Sequence, residues 1–204
     1  MSKGYIIIGT GGHAEILIET LHAQEKKIIG ATEKNRSTEL QNSFDIRILG
    51  DDECILEYGS NDVILVNGIG WVPGFANNRK SIFERFEALG YKFSTLVSDS
   101  ADISVSANLC EGAQVLSGAV IQTGCSVGAN AIINTRSSID HHCSIGRNSH
   151  IAPGATICGN VRIGDNTFVG AGATVINNIE IGNNCIIGAG VTLKENLSDD
   201  SRYV

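Results

Sequence analysis

Every sixth residue from Ile103 onward is a branched aliphatic. The run is Ile103, Leu109, Val115, Ile121, Val127, Ile133, Ile139, Ile145, Ile151, Ile157, Ile163, Val169, Val175, Ile181, Ile187 and Leu193. A helix repeats near 3.6 residues and a strand at 2, so neither supports such a series. A left-handed parallel β-helix does: each hexad supplies one short strand and a corner, and three hexads close a triangular coil. Four residues after each aliphatic the side chain is usually small, as at Ala107, Ala113, Ala119, Cys125, Ala131, Ser137, Cys143, Ser149, Ala155, Thr167, Ala173 and Cys185. Both positions then point inward, one large and one small. Three residues after the aliphatic stands mostly Gly or Asn, the types that tolerate the left-handed backbone of a corner. Each buried isoleucine contributes roughly 1.5–3 kcal/mol, so the stack itself supplies much of the stability. Cys125, Cys143 and Cys185 fall on inward positions and read as core fillers rather than reactive thiols.

The first 98 residues follow a different pattern. "KGYIIIGTGGHAEILIETLHAQ" reads as an apolar strand, a glycine-rich turn and a helix whose apolar positions are Ile16, Leu17, Thr20 and Leu21. "KKIIGATE", "FDIRILG" and "DVILVNGIG" read as three further strands, "DDECILEYG" as a short helix, and "NNRKSIFERFEALGY" as a second long helix before "KFSTLV" leads out. Alternating strands and helices imply a small parallel sheet with right-handed crossovers. The fold class is therefore an α/β Rossmann-like mini-domain, residues 1–98, followed by a left-handed parallel β-helix, residues 99–204, with the linker near Ser98 to Ala101.

Gly9 to Ala14, "GTGGHA", fits G-x-G-x-x-G/A between a strand and a helix, where backbone N–H groups favour a phosphate. Glu33 ends the next strand, where a ribose or base contact is expected. So short a domain leaves no second nucleotide-binding half, which favours a mononucleotide or a nucleotide sugar over a dinucleotide. His13 caps the loop where a phosphate or sugar lies.

Composition narrows the class further. The net charge is −7 and no basic stripe is present, which argues against a nucleic-acid partner. The apolar run from Tyr5 to Ile8 is too short for a signal peptide or a membrane span, so a cytoplasmic protein without membrane insertion is expected. None of the 6 cysteines forms a CxxC pair, and neither a zinc site nor a disulfide framework is expected. A zinc centre built on histidines across a β-helix trimer needs two histidines a few residues apart on one face. The adjacent His141 and His142 are expected to point in different directions, so no metal is expected.

Several stretches together resemble one family, the sialic-acid O-acetyltransferase-like sugar acyltransferases, which include the N-acetyltransferases of nucleotide-linked 4-amino sugars of the bacillosamine and perosamine type. The stretches are "GTGGHAEI" (9–16), "RKSIFERFEALGYKFSTLV" (79–97), "INTRSSIDHHCSIG" (133–146), "SHIAPGATICGNVRIGDNTFVGAGATVI" (149–176) and "IGAGVTLKE" (187–195). The resemblance implies an acetyl-CoA-dependent N-acetyltransferase acting on a nucleotide-linked 4-amino-6-deoxy sugar in bacterial surface-glycan biosynthesis, working as a homotrimer. A sugar O-acetyltransferase of the same family, or a non-catalytic nucleotide-sugar-binding relative, is the alternative. It implies His141 as general base, with His142 and Asp140 completing the catalytic set. Gly9, Gly11, Gly12, His13, Glu33 and Gly70 are implied for the sugar nucleotide, and His150, Gly170, Ala171, Gly188 and Ala189 for acetyl-CoA. The family's residue after the catalytic histidine is usually a carboxylate; here it is His142, and whether His142 or Asp140 orients His141 stays open. The paired aspartates that often end the second strand are replaced by Ala31, Thr32 and Glu33.

Overall fold

The computed structural model describes residues 3–34, 44–74 and 78–204. They divide into two compact units, one running to Trp71 and resuming as far as Ser94, the other comprising Val72–Gly74 and Thr95–Val204.

The first unit is a four-stranded parallel sheet of order β3-β2-β1-β4, formed by β1 (Gly4–Ile8), β2 (Ile28–Thr32), β3 (Ile48–Gly50) and β4 (Val63–Asn67). Ile6, Ile7 and Ile8 are all fully buried, as expected of a strand covered on both faces. Helix α1 (Gly12–Ala23) buries Ala14, Leu17, Ile18 and Leu21, the i, i+3, i+4, i+7 face of a helix. This corrects the sequence expectation: Ile16 is 36% exposed, and the Thr20 hydroxyl donates to the Ile16 carbonyl instead of packing inward. The stretch after β3 forms a 3₁₀ turn, Asp52–Glu57, whose Asp51 cap accepts from the Glu53 amide. Tyr91 pins this turn by donating from its hydroxyl to the Ile55 and Tyr58 carbonyls. Helix α2 (Asn78–Ala88) buries Phe83 and Phe86, with Phe83 packed on Phe93 at 4.4 Å between ring centroids. Asn77, read as part of that helix, lies outside the described residues.

The chain leaves β1 for β2 and β3 on one side, then crosses to β4 on the other. The strand order reverses at β1, and such a reversal opens a crevice at the carboxyl ends of the strands. Gly9 and Ile69 sit at those two ends.

The second unit is the left-handed parallel β-helix that the hexads require. Two-residue rungs stack in three parallel faces, and inward residues meet in register: Val127 on Ile145, Ile133 on Ile151, Ile139 on Ile157. Leu96–Val97, expected to lead out of the first domain, is the first rung, paired with Gln114–Val115. The boundary therefore falls between Ser94 and Thr95, ahead of the expected linker. The core is a continuous column of the aliphatics and the small residues opposite them. Cys125, Cys143 and Cys185 lie in it, and burial pushes their thiols up, that of Cys143 to about 12.

The corners three residues after the aliphatics are left-handed: Gly112, Gly118, Gly124, Asn130, Asn148, Asn160 and their successors have φ between 55° and 73°. Arg136 (φ 54°) and His142 (φ 58°) occupy the same position without being Gly or Asn. Along one edge the asparagine amides form a ladder, Asn130 to Asn148 to Asn166 to Asn184, each donating to the next. It ends on the Asp200 carboxylate, and this last coil is shorter, spanning 16 residues where those before span 18. Among the described residues no helix is long and apolar enough to cross a membrane.

Candidate active site

In the first unit, the crevice at the strand reversal is a cavity of about 430 Å³. Gly9 and Glu33, both expected at a nucleotide site, line it. Lys34, Asp52, Ile69 and Ser81 line it too and were not anticipated from the sequence. Asp52 is held by the Thr32 hydroxyl, which donates to its carboxylate at 2.6 Å, and the Glu33 amide donates to the Gly50 carbonyl at 2.8 Å. These residues come from three strand ends and a helix far apart in the chain. The only sequence signal was that Lys34, Asp52 and Ile69 each follow an apolar strand; Ser81, inside α2, had none.

Gly11, Gly12, His13 and Gly70 do not line this cavity; they form the adjoining start of α1 and the loop after β4. Gly9 has φ +91°, so the turn itself requires glycine there. Gly11 and Gly12 are different. Gly11 caps α1 in an extended conformation at φ −74°, Gly12 is helical, and a Cβ on either meets no atom within 4 Å. Neither backbone strain nor protein packing accounts for two exposed glycines at a helix N-terminus. Such a helix start, with open space where a side chain would stand, has the form of an anion site. Gly70 lies beside His13, its built Cβ 3.5 Å from that of His13.

The loop carrying Ile69 and Gly70 is shaped by a buried cation. The Arg79 guanidinium, 2% exposed, donates from Nη1 to the carbonyls of Asn67 (2.9 Å) and Ile69 (2.8 Å), while Asn67 Nδ2 donates back to the Arg79 carbonyl. Burial pushes the guanidinium down to about 9, which leaves it charged at neutral pH.

In the second unit, Asp140, His141 and His142 are exposed together at one corner. The two imidazoles do not diverge as expected. Their Nδ1 atoms lie 3.0 Å apart, with the ring planes 77° from each other. The left-handed backbone at His142 turns its side chain back beside its neighbour. Asp140 is not on either ring: its carboxylate accepts the His141 backbone N–H at 2.8 Å. Among the described residues, Nε2 of His141 has no hydrogen-bond partner. The Cε1–Nε2 edge of His141 passes over Gly159 one coil along, and His142 passes over Gly124. Beside the corner, a shallow depression of about 200 Å³ is floored by Ser138, Asp140, Thr156 and Cys158.

His150 is elsewhere, on the one face of the triangle that does not border this corner, and is only 6% exposed. Its Nε2 meets Asn134 Nδ2 at 3.0 Å and its ring meets Phe168 edge-on at 5.2 Å. Gly170 and Gly188 are successive positions of one stack. A Cβ on Gly170 comes within 2.5–2.8 Å of the Gly188 and Ala189 backbone, and one on Gly188 within 3.1–3.4 Å of Val204. Coil-to-coil contact therefore already explains both glycines, while Ala171 and Ala189 are exposed at the corner that follows. Among the described residues no group of three or more His, Cys, Asp or Glu is placed to hold a metal ion.

Comparison with known proteins bears on both units. The family model for the PglD N-terminal domain matches residues 5–86, and that for the bacterial transferase hexapeptide (six repeats) matches residues 124–159 and 160–195. No curated protein matches the sequence. Among solved structures, PerB from Caulobacter crescentus in complex with CoA and GDP-perosamine is 30% identical, with 98% of this chain and 92% of that one covered and a TM-score of 0.86. A mutant of perosamine N-acetyltransferase from the same organism, with the same two ligands, is 28% identical over 99% and 93% of the chains, with a TM-score of 0.88. The acetyltransferase domain of PglB from Neisseria gonorrhoeae, in complex with acetyl coenzyme A, is 25% identical over 99% and 96%, with a TM-score of 0.89.

Proposed function

The chain belongs to the hexapeptide-repeat sugar N-acetyltransferases, and from that premise we propose that it moves the acetyl group of acetyl-CoA onto the amine of a nucleotide-linked 4-amino-6-deoxy sugar. The observation that carries this reading is the corner at residues 140–142, where an exposed imidazole has one nitrogen engaged and the other unpartnered beside a shallow depression. The amine nitrogen attacks the thioester carbonyl, the C–N bond forms, and the nitrogen must lose a proton before the product is a neutral amide. His141 Nε2 takes that proton. The C–S bond then breaks and the departing thiolate recovers a proton, so the enzyme ends unchanged. An imidazole suits this exchange at neutral pH, and no covalent enzyme intermediate is needed.

The nucleotide belongs to the first unit. Backbone N–H groups at Gly11 and Gly12 take the phosphates, His13 and Gly70 lie at the sugar end, and Glu33 with Asp52 offers acceptors in the cavity for ribose or base donors. The acetyl donor lies along the β-helix, where Ala171 and Ala189 mark an exposed small-residue corner, and His150 with Gly170 and Gly188 forms the wall behind it. We place the enzyme in the cytoplasm as a homotrimer serving bacterial surface-glycan synthesis; the CoA and GDP-perosamine bound by a 30%-identical relative support the pair of substrates. A panel of UDP-, GDP- and dTDP-linked 4-amino-6-deoxy sugars with acetyl-CoA, read by thiol release and product mass, tests the reading. Acetylation of one amine acceptor is expected; release with hydroxylated acceptors only, or with none, sinks it.

A further inference from the structure

Two imidazoles that meet nitrogen to nitrogen share one hydrogen: one ring donates and the other accepts. We propose that His142 is the acceptor, and that it fixes His141 in the Nδ1–H tautomer, taking the place of an orienting carboxylate. His142 is thus a positioning residue; it acts through His141 and not on substrate. The inference rests on the reading of His141 as the base.

Three observations carry it. The neighbouring carboxylate, Asp140, accepts the His141 backbone N–H at 2.8 Å, and among the described residues no carboxylate hydrogen-bonds the ring. His142 is the side chain that reaches His141 Nδ1, at 3.0 Å. Its ring is seated: the backbone is left-handed at φ 58°, and the ring rests on Gly124, where a Cβ would stand 2.8 Å from Cδ2 and 3.2 Å from Nε2.

The direction of the hydrogen bond follows from what happens when His141 works. Once Nε2 has taken a proton, His141 carries N–H on both nitrogens, and its Nδ1–H must point at a lone pair. The Nδ1 lone pair of His142 provides one, and His142 keeps its own N–H on Nε2. The reverse arrangement places N–H on His141 Nε2 before the reaction, so no lone pair is free there, and it sets two N–H groups face to face afterwards.

The test has two arms on the full chain. Long-range ¹H–¹⁵N spectra at a pH well above the usual histidine range report which nitrogen of each neutral ring carries hydrogen. The expected result is His141 protonated at Nδ1 and bare at Nε2, with that preference lost in His142→Asn. Asparagine is the residue that other left-handed corners of this coil use, so the fold is kept. The second arm is kinetic: His142→Asn lowers kcat roughly 10–100-fold with KM for both substrates changed less, and His142→Glu recovers most of it. Arg136 shows that a long side chain fits such a corner. A wild-type His141 protonated at Nε2, or an unchanged kcat in His142→Asn, overturns the proposal. The spectra need no turnover, so absence of acetyl transfer in the wild type strikes only at the function and leaves the tautomer result to stand or fall separately.

Discussion

Gly159 lies directly under the imidazole of His141: a Cβ built on Gly159 falls 2.6 Å from both Cε1 and Nε2 of the ring. The backbone at Gly159 is not left-handed, so alanine fits its conformation and only the ring must move. Displacing a reacting group by about 1 Å can cost on the order of 10²-fold in rate. Gly159→Ala is therefore expected to lower kcat by about that factor while the melting temperature stays near that of the wild type. Wild-type kcat in Gly159→Ala removes His141 Nε2 from the chemistry.

His141→Ala is expected to lower kcat by roughly 10²–10⁴-fold, the usual contribution of a general base. Its side chain is exposed and lies outside the solenoid core, so stability should hold. KM for the sugar nucleotide should change less than kcat, because the lost interaction belongs to the transition state. Steady-state kinetics at neutral pH check both; a variant as active as the wild type contradicts the mechanism.

Gly11→Val is expected to weaken sugar-nucleotide binding and leave acetyl-CoA binding intact. The built Cβ at Gly11 touches no protein atom, so a branched side chain there collides with a ligand and not with the fold. Calorimetric titration with each substrate separates the two effects. Equal loss of both, with an unchanged melting temperature, means the loop does not hold the nucleotide.

The C-terminal coil should loosen first in acid. The Asn183 backbone N–H and then its side-chain amide hold the Asp199 carboxyl below its ordinary value. A carboxyl lowered in the folded state contributes fully above its unfolded value, and the contribution fades as pH falls through the lowered folded value. Hydrogen exchange at the Asn183 amide should therefore be protected at neutral pH and lose protection in strong acid, earlier than the amides of inner coils. Asp199→Asn should show less of that pH dependence. Protection that is flat with pH in the wild type argues against the carboxylate as the clasp.

The solenoid was legible because its geometry is a repeat of one local unit. A branched aliphatic every sixth residue, with Gly or Asn three residues later, repeats the same contacts from each coil to the next, so Ile103 to Leu193 spell out the rungs directly. The strand–glycine–helix start of the first unit was equally local, and Gly9 to Ala14 stand where the pattern put them. What failed locally was the helix face: Ile16 and Ile18 are both apolar, and only packing against the sheet decided that Ile18 goes inward.

Three matters belonged to the tertiary structure alone. The cavity joins Glu33 and Asp52 to Ser81, because parallel crossovers bring strand ends and a helix start together across long separations. His150 is covered because an outward position on a flat face is bracketed by the side chains one coil above and below, Asn134 and Phe168 among them. The pairing of His141 with His142 depends on the sign of one dihedral angle. Adjacent residues in an extended chain point apart, and only the left-handed corner folds the second imidazole back upon the first. Sequence alone established the repeat, since it is a property of neighbours along the chain. The chemistry at the corner was decided by a backbone reversal and by the glycines of adjoining coils that leave room for the rings.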